Sequence, residues 1–351
     1  MGGGKKNVPR VKGNARPASS SRAADLADPA SVSLFRANPS LAFNQLLNQG
    51  TNGGGQAVYS SADSSGTGSN YSTRPSTPDS FLSSASHSGD AAMELLLKKL
   101  NKRDPQTRIR ALEETKTLVE DRSVNNLQLL THAWPRLYQR CAVTSERRLR
   151  LLANQVNTIL VTKLGRHIQP ILATLLPPWL LTFFDPITDV AQEARSGYEK
   201  LFKPDKRVKA LVKCRESIMT YLTKNICQHT ADSLVDPKLA DAEERRRIYE
   251  RIVSSSFRAL SHLVQTIPPD QWPTPRHDLD ALLDENRFWE KCYHSAPIIR
   301  RSAYGVLSSL TSYYPEALDS RQSYLGHAFI RKAVMDKDPT THQELWEALT
   351  L

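Results

Sequence analysis

From residue 91 onward, apolar side chains return every three or four positions, in one segment after another. Leu95, Leu96 and Leu100 open the series, and Ile109, Leu112 and Val119 continue it on a second segment. Leu127, Leu130, Trp134, Leu137 and Cys141 form a third stripe, and Leu149, Leu152, Val156 and Ile159 a fourth. Val208, Leu211 and Val212 lead into Ile218, Tyr221 and Leu222. After the charged run 241–247, Ile248, Ile252, Leu260, Leu263, Val264 and Ile267 mark a long helix. This spacing follows the 3.6-residue helical turn and gathers the apolar positions on one face. No alternating β-branched run of useful length intervenes, so the pattern predicts helices and no sheet. Trp134, Trp179, Trp289 and Trp346 sit among apolar neighbours at helical spacing and belong to the expected core. Trp272, between prolines, reads as a loop-packing residue, with a surface anchor as the alternative.

The polar punctuation between stripes recurs. Asp104-Pro105, Asp185-Pro186 and Asp338-Pro339 each read as a helix start. Asp caps free backbone N–H groups at the positive end of the helix dipole, and proline at the first helical position lacks only an N–H that would be unpaired anyway. Ala296-Pro297-Ile298-Ile299-Arg300-Arg301 opens a similar run without the Asp. Pro105 and Pro186 are 81 residues apart, Pro297 and Pro339 are 42 apart, and 144–149 fills the slot halfway along the first interval. A period of about 40 residues built on paired helices is that of HEAT or armadillo arrays. The expected fold class is therefore all-α: a HEAT/armadillo-type α-solenoid of antiparallel helix pairs, preceded by a disordered N-terminal tail. Asp28-Pro29 and Asp236-Pro237 fall off the frame, and the interval from Pro186 to Pro297 is too long for two ordinary units. The longest apolar stretch, 171–184, is too short to span a bilayer and is interrupted by Pro177-Pro178, so it reads as a buried junction between helices.

Two regions follow. Residues 1–89 form a basic, then Ser/Gly-rich tail whose 51–89 tract has too few apolar residues to offset its ordering entropy. Residues 90–351 form the repeat domain. Its last stripe, Leu345, Trp346 and Leu349, lacks a polar capping repeat, so the domain reads as truncated at its C-terminal end with that face exposed. The net charge of +11 is uneven. Residues 91–215 carry 23 basic and 12 acidic side chains, whereas 216–351 carry 16 and 19. A basic stretch suits a polyanion, although a solvated helix face gives the same composition. Cys141, Cys214, Cys227 and Cys292 form no C-x-x-C pair, and neither a disulfide framework nor a zinc knuckle is indicated. Cys227 and His229 are two residues apart, too few ligands for a metal. There is no signal-peptide pattern, no G-x-S-x-G and no P-loop. The expected catalytic, metal and cofactor set is empty for this chain.

Several phrases resemble the N-terminal region of the listerin family, RING-type E3 ubiquitin ligases of ribosome-associated quality control. The tail run from Lys12-Gly13-Asn14-Ala15-Arg16-Pro17 to Asp25-Leu26 is similar to the family's opening. So are Leu97-Lys98-Lys99-Leu100-Asn101-Lys102-Arg103-Asp104 and Trp134-Pro135-Arg136. The most specific set is Asn286-Arg287-Phe288-Trp289 with His294-Ser295-Ala296-Pro297 and Arg301-Ser302-Ala303-Tyr304, and Leu345-Trp346-Glu347-Ala348 closes the match. The resemblance implies an elongated helical-repeat protein whose N-terminal part docks on the large ribosomal subunit, beside a factor that recognises peptidyl-tRNA. It implies a C-terminal zinc-bearing RING that recruits the ubiquitin-charged E2, so that the stalled nascent chain is ubiquitinated for degradation. It implies a cytosolic, ribosome-associated location, with the nucleus possible, and no membrane partner. Four scattered cysteines cannot build a RING, so this chain reads as the docking scaffold, with zinc only in the full-length family.

The candidate contacts to rRNA and ribosomal protein are basic clusters. They are the arm Lys5, Lys6, Arg10, Lys12, Arg16 and Arg22; the group Lys98, Lys99, Lys102 and Arg103; Arg147, Arg148 and Arg150; and Lys200, Lys203, Lys206, Arg207 and Lys209. If the inter-helix turns align along one edge, these clusters form one stripe that contacts phosphates without reading sequence. The alternative is an unrelated HEAT-repeat adaptor that binds protein motifs in transport or assembly.

Overall fold

The computed structural model describes residues 91–273, 277–326 and 335–350. The tail, and with it the six basic residues of the arm, lies outside the described residues. Among the described residues there are helices and turns and no strand. The principal helices are α1 (Ala91–Leu100), α2 (Pro105–Asp121), α3 (Gln128–Val143), α4 (Arg147–Leu164), α5 (Gln169–Thr182), α6 (Thr188–Leu201) and α7 (Pro204–Thr223). There follow α8 (Ala242–Thr266), the short α9 (His277–Leu283) and α10 (Asn286–Glu290), α11 (Pro297–Tyr313) and α12 (His342–Thr350).

Packing follows the repeat. Helices α2, α4 and α6 stack side by side in one layer, and α3, α5 and α7 stack in the other. Their apolar stripes meet between the layers, where Leu112, Leu130, Trp134, Val156, Leu175, Trp179 and Ile218 are wholly buried. The 25-residue α8 packs against α5 and α7, α11 stacks on α8, and α12 stacks on α11. The long interval between Pro186 and Pro297 thus holds the regular pair α6 and α7, followed by the long α8 and a set of short helices instead of a second regular unit.

The helix starts divide. Asp104 caps α2 as expected, its carboxylate accepting the Thr107 N–H at 2.7 Å. Asp185 does not cap α6, which begins at Thr188. Its carboxylate is buried and accepts Arg150 Nε at 2.8 Å and the Ile187 N–H at 3.0 Å. Arg150 completes the turn by donating from Nη1 to the carbonyls of Thr144 and Ser145. Arg300, at the same fourth position of α11, repeats the set with Asp336 (2.6 Å) and the carbonyls of His294 and Ser295. The acid stands 35 residues after the arginine in one case and 36 in the other, so the bond ties one repeat to the next. Arg108 holds the same position in α2 but meets the Cys141 thiol at 3.4 Å.

Two expectations need correction. The stretch 171–184 is not a junction, because α5 runs through Pro177 and Pro178 as one helix with an almost wholly buried C-terminal half. The carbonyls four residues earlier lose their donors, but Ala173 and Thr174, which carry them, are exposed and open to water. Trp346 is 59% exposed and is not a core residue, whereas Leu345 on the same helix is buried. Trp272, by contrast, is buried against Tyr314, as its reading as a loop-packing residue expects. Two glycines have local causes. Gly165 ends α4 at φ 51°, and Gly197 lets α6 approach α4 and α5, where a Cβ would stand 2.5 Å from Thr158 Oγ1.

Candidate functional site

The edge at which α2, α4 and α6 begin is built from the turns α1–α2, α3–α4 and α5–α6. These turns are stitched together: Arg140 donates to Asn101, and Arg150 joins the α3–α4 turn to Asp185. Lys98, Lys102 and Arg103 stand exposed on this edge. Lys99 is half-buried and paired with Glu114 at 2.7 Å. Arg147 and Arg148, in the first turn of α4, reach sideways to Asp189 of α6 and Glu113 of α2. These pairs are largely exposed, where solvent screens an ion pair and leaves it weak. The hydrogen bond from Arg147 is the first cause holding the Asp189 carboxyl below its usual range. Asp104 is lowered first by the Thr107 hydroxyl.

Arg150 is corrected. Its side chain is 4% exposed and its guanidinium is taken up by Asp185 and two carbonyls, so it faces the core and no phosphate reaches it. It belongs to a buried cluster that sequence reasoning missed. Arg251 of α8 donates to the carbonyls of Ala142, Val143 and Thr144 and lies 3.5 Å from the same Asp185 carboxylate. Burial is the first cause that pulls the Arg251 guanidinium down to about 10, and the charge of Arg150 adds to it. This cluster fastens α8 across the ends of α3 and α5.

The last basic cluster is elsewhere. Lys200, Lys203, Lys206 and Lys209 are exposed around the α6–α7 turn, and Arg207 is half-buried with Nε on the Phe202 carbonyl. Arg147 contacts the first turn of α6, whereas Lys200 is in its last. A helix of 14 residues is about 21 Å long. The clusters therefore occupy two opposite edges and not one stripe, because alternate turns of a helical hairpin array point in opposite directions.

The residues present do not fit a zinc centre. Cys141, Cys214, Cys227 and Cys292 are each buried in a different element. Burial pushes the thiols of Cys227 and Cys292 up to about 12, which disfavours the thiolate that zinc takes. Among the described residues, no three His, Cys, Asp or Glu side chains converge as metal ligands, and no helix is long and apolar enough to cross a membrane. His229 is engaged with Ser233 Oγ at 3.2 Å.

Two stacked helical layers, continued by the long α8 and edged with exposed cations, define a HEAT/armadillo-type helical-repeat protein. The family described as "E3 ubiquitin-protein ligase listerin, N-terminal domain" matches residues 86–351. The chain belongs to the listerin family. It is 29% identical to the E3 ubiquitin-protein ligase listerin of Gallus gallus over 349 residues, covering 99% of this chain and 18% of that protein. It is 27% identical to the listerin of Drosophila melanogaster over 362 residues, covering 100% of this chain and 19% of that protein. The chain thus spans under a fifth of the length of these relatives. Among solved structures, a Crescerin TOG-domain structure aligns at 16% identity with a TM-score of 0.42, over 72% of this chain and 88% of that one. The solenoid assignment rests on the helix packing of this chain.

Proposed function

We propose that this segment is the ribosome-docking end of a listerin-type ubiquitin ligase, acting in the ubiquitination of stalled nascent chains on the large ribosomal subunit. The observation that carries the reading is the listerin N-terminal match over 86–351, joined to the exposed cations Lys98, Lys102 and Arg103 with the weakly paired Arg147 and Arg148 on one edge. Such an edge contacts rRNA phosphates without reading bases. The arm of Lys5, Lys6, Arg10, Lys12, Arg16 and Arg22 supplies a second contact at high effective concentration once the array is docked. In this reading the partner at the subunit is a factor that recognises peptidyl-tRNA, and the E2 is recruited through a zinc-bearing RING that this chain does not supply. The setting is the cytosol, on the ribosome, with the nucleus as a further location.

The test is co-sedimentation of the chain with purified large ribosomal subunits at rising salt. Each phosphate neutralised releases counterions, so binding falls steeply with ionic strength. Deletion of 1–22, and charge reversal of Lys98, Lys102 and Arg103, each lower the affinity and flatten the salt response. Unchanged binding in both variants, with a flat salt response in the parent, overturns docking through this edge.

A further inference from the structure

The ends of α2, α4 and α6 form the edge opposite to the one at which these helices begin. Lys163, in the last turn of α4, donates to the carbonyls of Val119 and Glu120 at the end of α2, both at 2.7 Å, so these ends stand side by side. Arg166 follows α4 on this edge, and Lys200, Lys203, Lys206, Lys209 and Lys213 surround the α6–α7 turn and run along α7. All of them are exposed. Lys206, Lys209 and Lys213, spaced three and four residues apart, share one face of α7. Residues 199–213 carry six basic and two acidic side chains.

The two edges differ in how their cations are held. On the first, Lys99 is paired with Glu114, Arg147 with Asp189 and Arg148 with Glu113. On the second, Lys206 lies 3.4 Å from Asp205, and Arg166, Lys200, Lys203, Lys209 and Lys213 make no hydrogen bond or ion pair among the described residues. Unpaired like charges repel one another, and a bound polyanion relieves that repulsion. The surface around them selects the polyanion. No large apolar side chain of α6, α7 or the turn between them is exposed, whereas the core of a protein interface is apolar or aromatic and poor in lysine. The rings of the turn face inward: Tyr198 is buried with its hydroxyl on the Arg207 carbonyl, and Phe202 packs against it. A single strand, which stacks its bases on exposed rings, finds none here. The phosphate backbone of a duplex needs neither, and lysines meet it as point charges without reading bases.

We propose that the α6–α7 edge is a second contact for duplex RNA, separate from the edge at which α2, α4 and α6 begin, so that the array bridges two RNA helices. The two edges are about 21 Å apart along α6 and face opposite ways, so one straight duplex does not lie on both. The choice of RNA over DNA rests on the ribosomal reading. The duplex contact itself rests on the free lysines and needs neither the first edge nor the basic arm.

The experiment uses the full 351-residue chain carrying Lys98→Glu, Lys102→Glu and Arg103→Glu, which silences the first edge. The probe is a labelled RNA hairpin with a stem of about 16 base pairs, followed by fluorescence anisotropy. Hairpin binding persists in this background. Adding Lys203→Glu, Lys206→Glu and Lys209→Glu weakens it about tenfold or more at about 0.1 M salt, and lowers the slope of log affinity against log salt by about two to three. Circular dichroism confirms the fold, and Lys203→Gln, Lys206→Gln and Lys209→Gln together weaken binding in the same direction without adding acids. Equal hairpin affinity and slope with and without the α6–α7 reversal overturn the proposal, whatever the subunits do. Tighter binding of a polyglutamate of similar length, lost in the same reversal, makes the edge an acidic-protein surface and overturns it too. If the hairpin depends on these lysines while the first-edge reversal and the arm deletion leave co-sedimentation with subunits unchanged, the docking reading falls and this assignment stands.

Discussion

Replacing Asp185 by alanine removes the one carboxylate that faces two buried guanidiniums. Asp185 is 1% exposed, Arg150 4% and Arg251 11%. The carboxylate accepts Arg150 Nε at 2.8 Å and Nη2 at 3.3 Å, lies 3.5 Å from Arg251 Nη1, and accepts the Ile187 N–H at 3.0 Å. Without it, two like charges face each other in a site from which water is largely excluded. Breaking a buried pair by deleting one partner costs about 3–5 kcal/mol. Here the five carbonyl bonds that Arg150 and Arg251 keep, at the negative end of α3 and in the turn after it, soften the loss. The lower part of that range, about 3–4 kcal/mol, is therefore expected. In urea, with a slope of about 2–3 kcal/mol per molar, the midpoint followed by circular dichroism falls by about 1–2 M. Amide exchange should rise first in α8 and in the α3–α4 turn, because Arg251 spans them. A triple variant, Asp185→Leu with Arg150→Met and Arg251→Met, should recover most of the loss, since a well-packed apolar replacement of the whole cluster is often neutral. A midpoint shift below about 0.3 M for Asp185→Ala, or a triple variant less stable than the single one, refutes the reasoning.

Three further outcomes are expected. Gly197→Ala forces a Cβ to 2.5 Å from Thr158 Oγ1 and 3.3 Å from Trp179; it should destabilise by about 1–3 kcal/mol in thermal melts, and Thr158→Ala should rescue it, because that hydroxyl has no hydrogen-bond partner to lose. Tyr138→Phe deletes the buried hydroxyl that donates to Asn154 Oδ1 at 2.6 Å and meets Thr182 Oγ1 at 2.8 Å; a loss of about 1–2 kcal/mol in urea titration is expected, and an unchanged midpoint would show the network to be dispensable. Burial, and then the charge of Lys224, pull the His229 imidazole down to about 4, and burial likewise lowers His262 and His294. Unfolded histidine binds its proton near pH 6.5 while the folded group stays neutral, so stability is full above about 6.5 and falls as the pH drops toward 4; His229→Gln should flatten part of that slope, and midpoints that do not change between pH 7 and 4.5 would contradict it.

The amino-acid pattern determined the helices and their pairing, because a stripe with the helical period must bury one face and a repeat of about 40 residues must bury it against its neighbours. The listerin resemblance was likewise legible in ordered phrases such as Asn286-Arg287-Phe288-Trp289, and the match over 86–351 bears it out. What each charged residue does was not legible. Arg147, Arg148 and Arg150 are near neighbours of one type, yet two lie on the surface and the third is buried on Asp185. About 100° of rotation per residue around α4 separates their fates, and the acid that receives Arg150 comes from the next repeat. The division of the basic clusters between two edges followed from the alternation of turns, which composition does not record. The packing of α8 onto the earlier helices was decided by bonds between distant segments: Arg251 reaches the Val143 carbonyl across 108 residues and Ser255 the Phe184 carbonyl across 71. Periodicity is a local property and survives in the linear chain; charge pairing depends on which distant segments pack together, and only the folded array sets that.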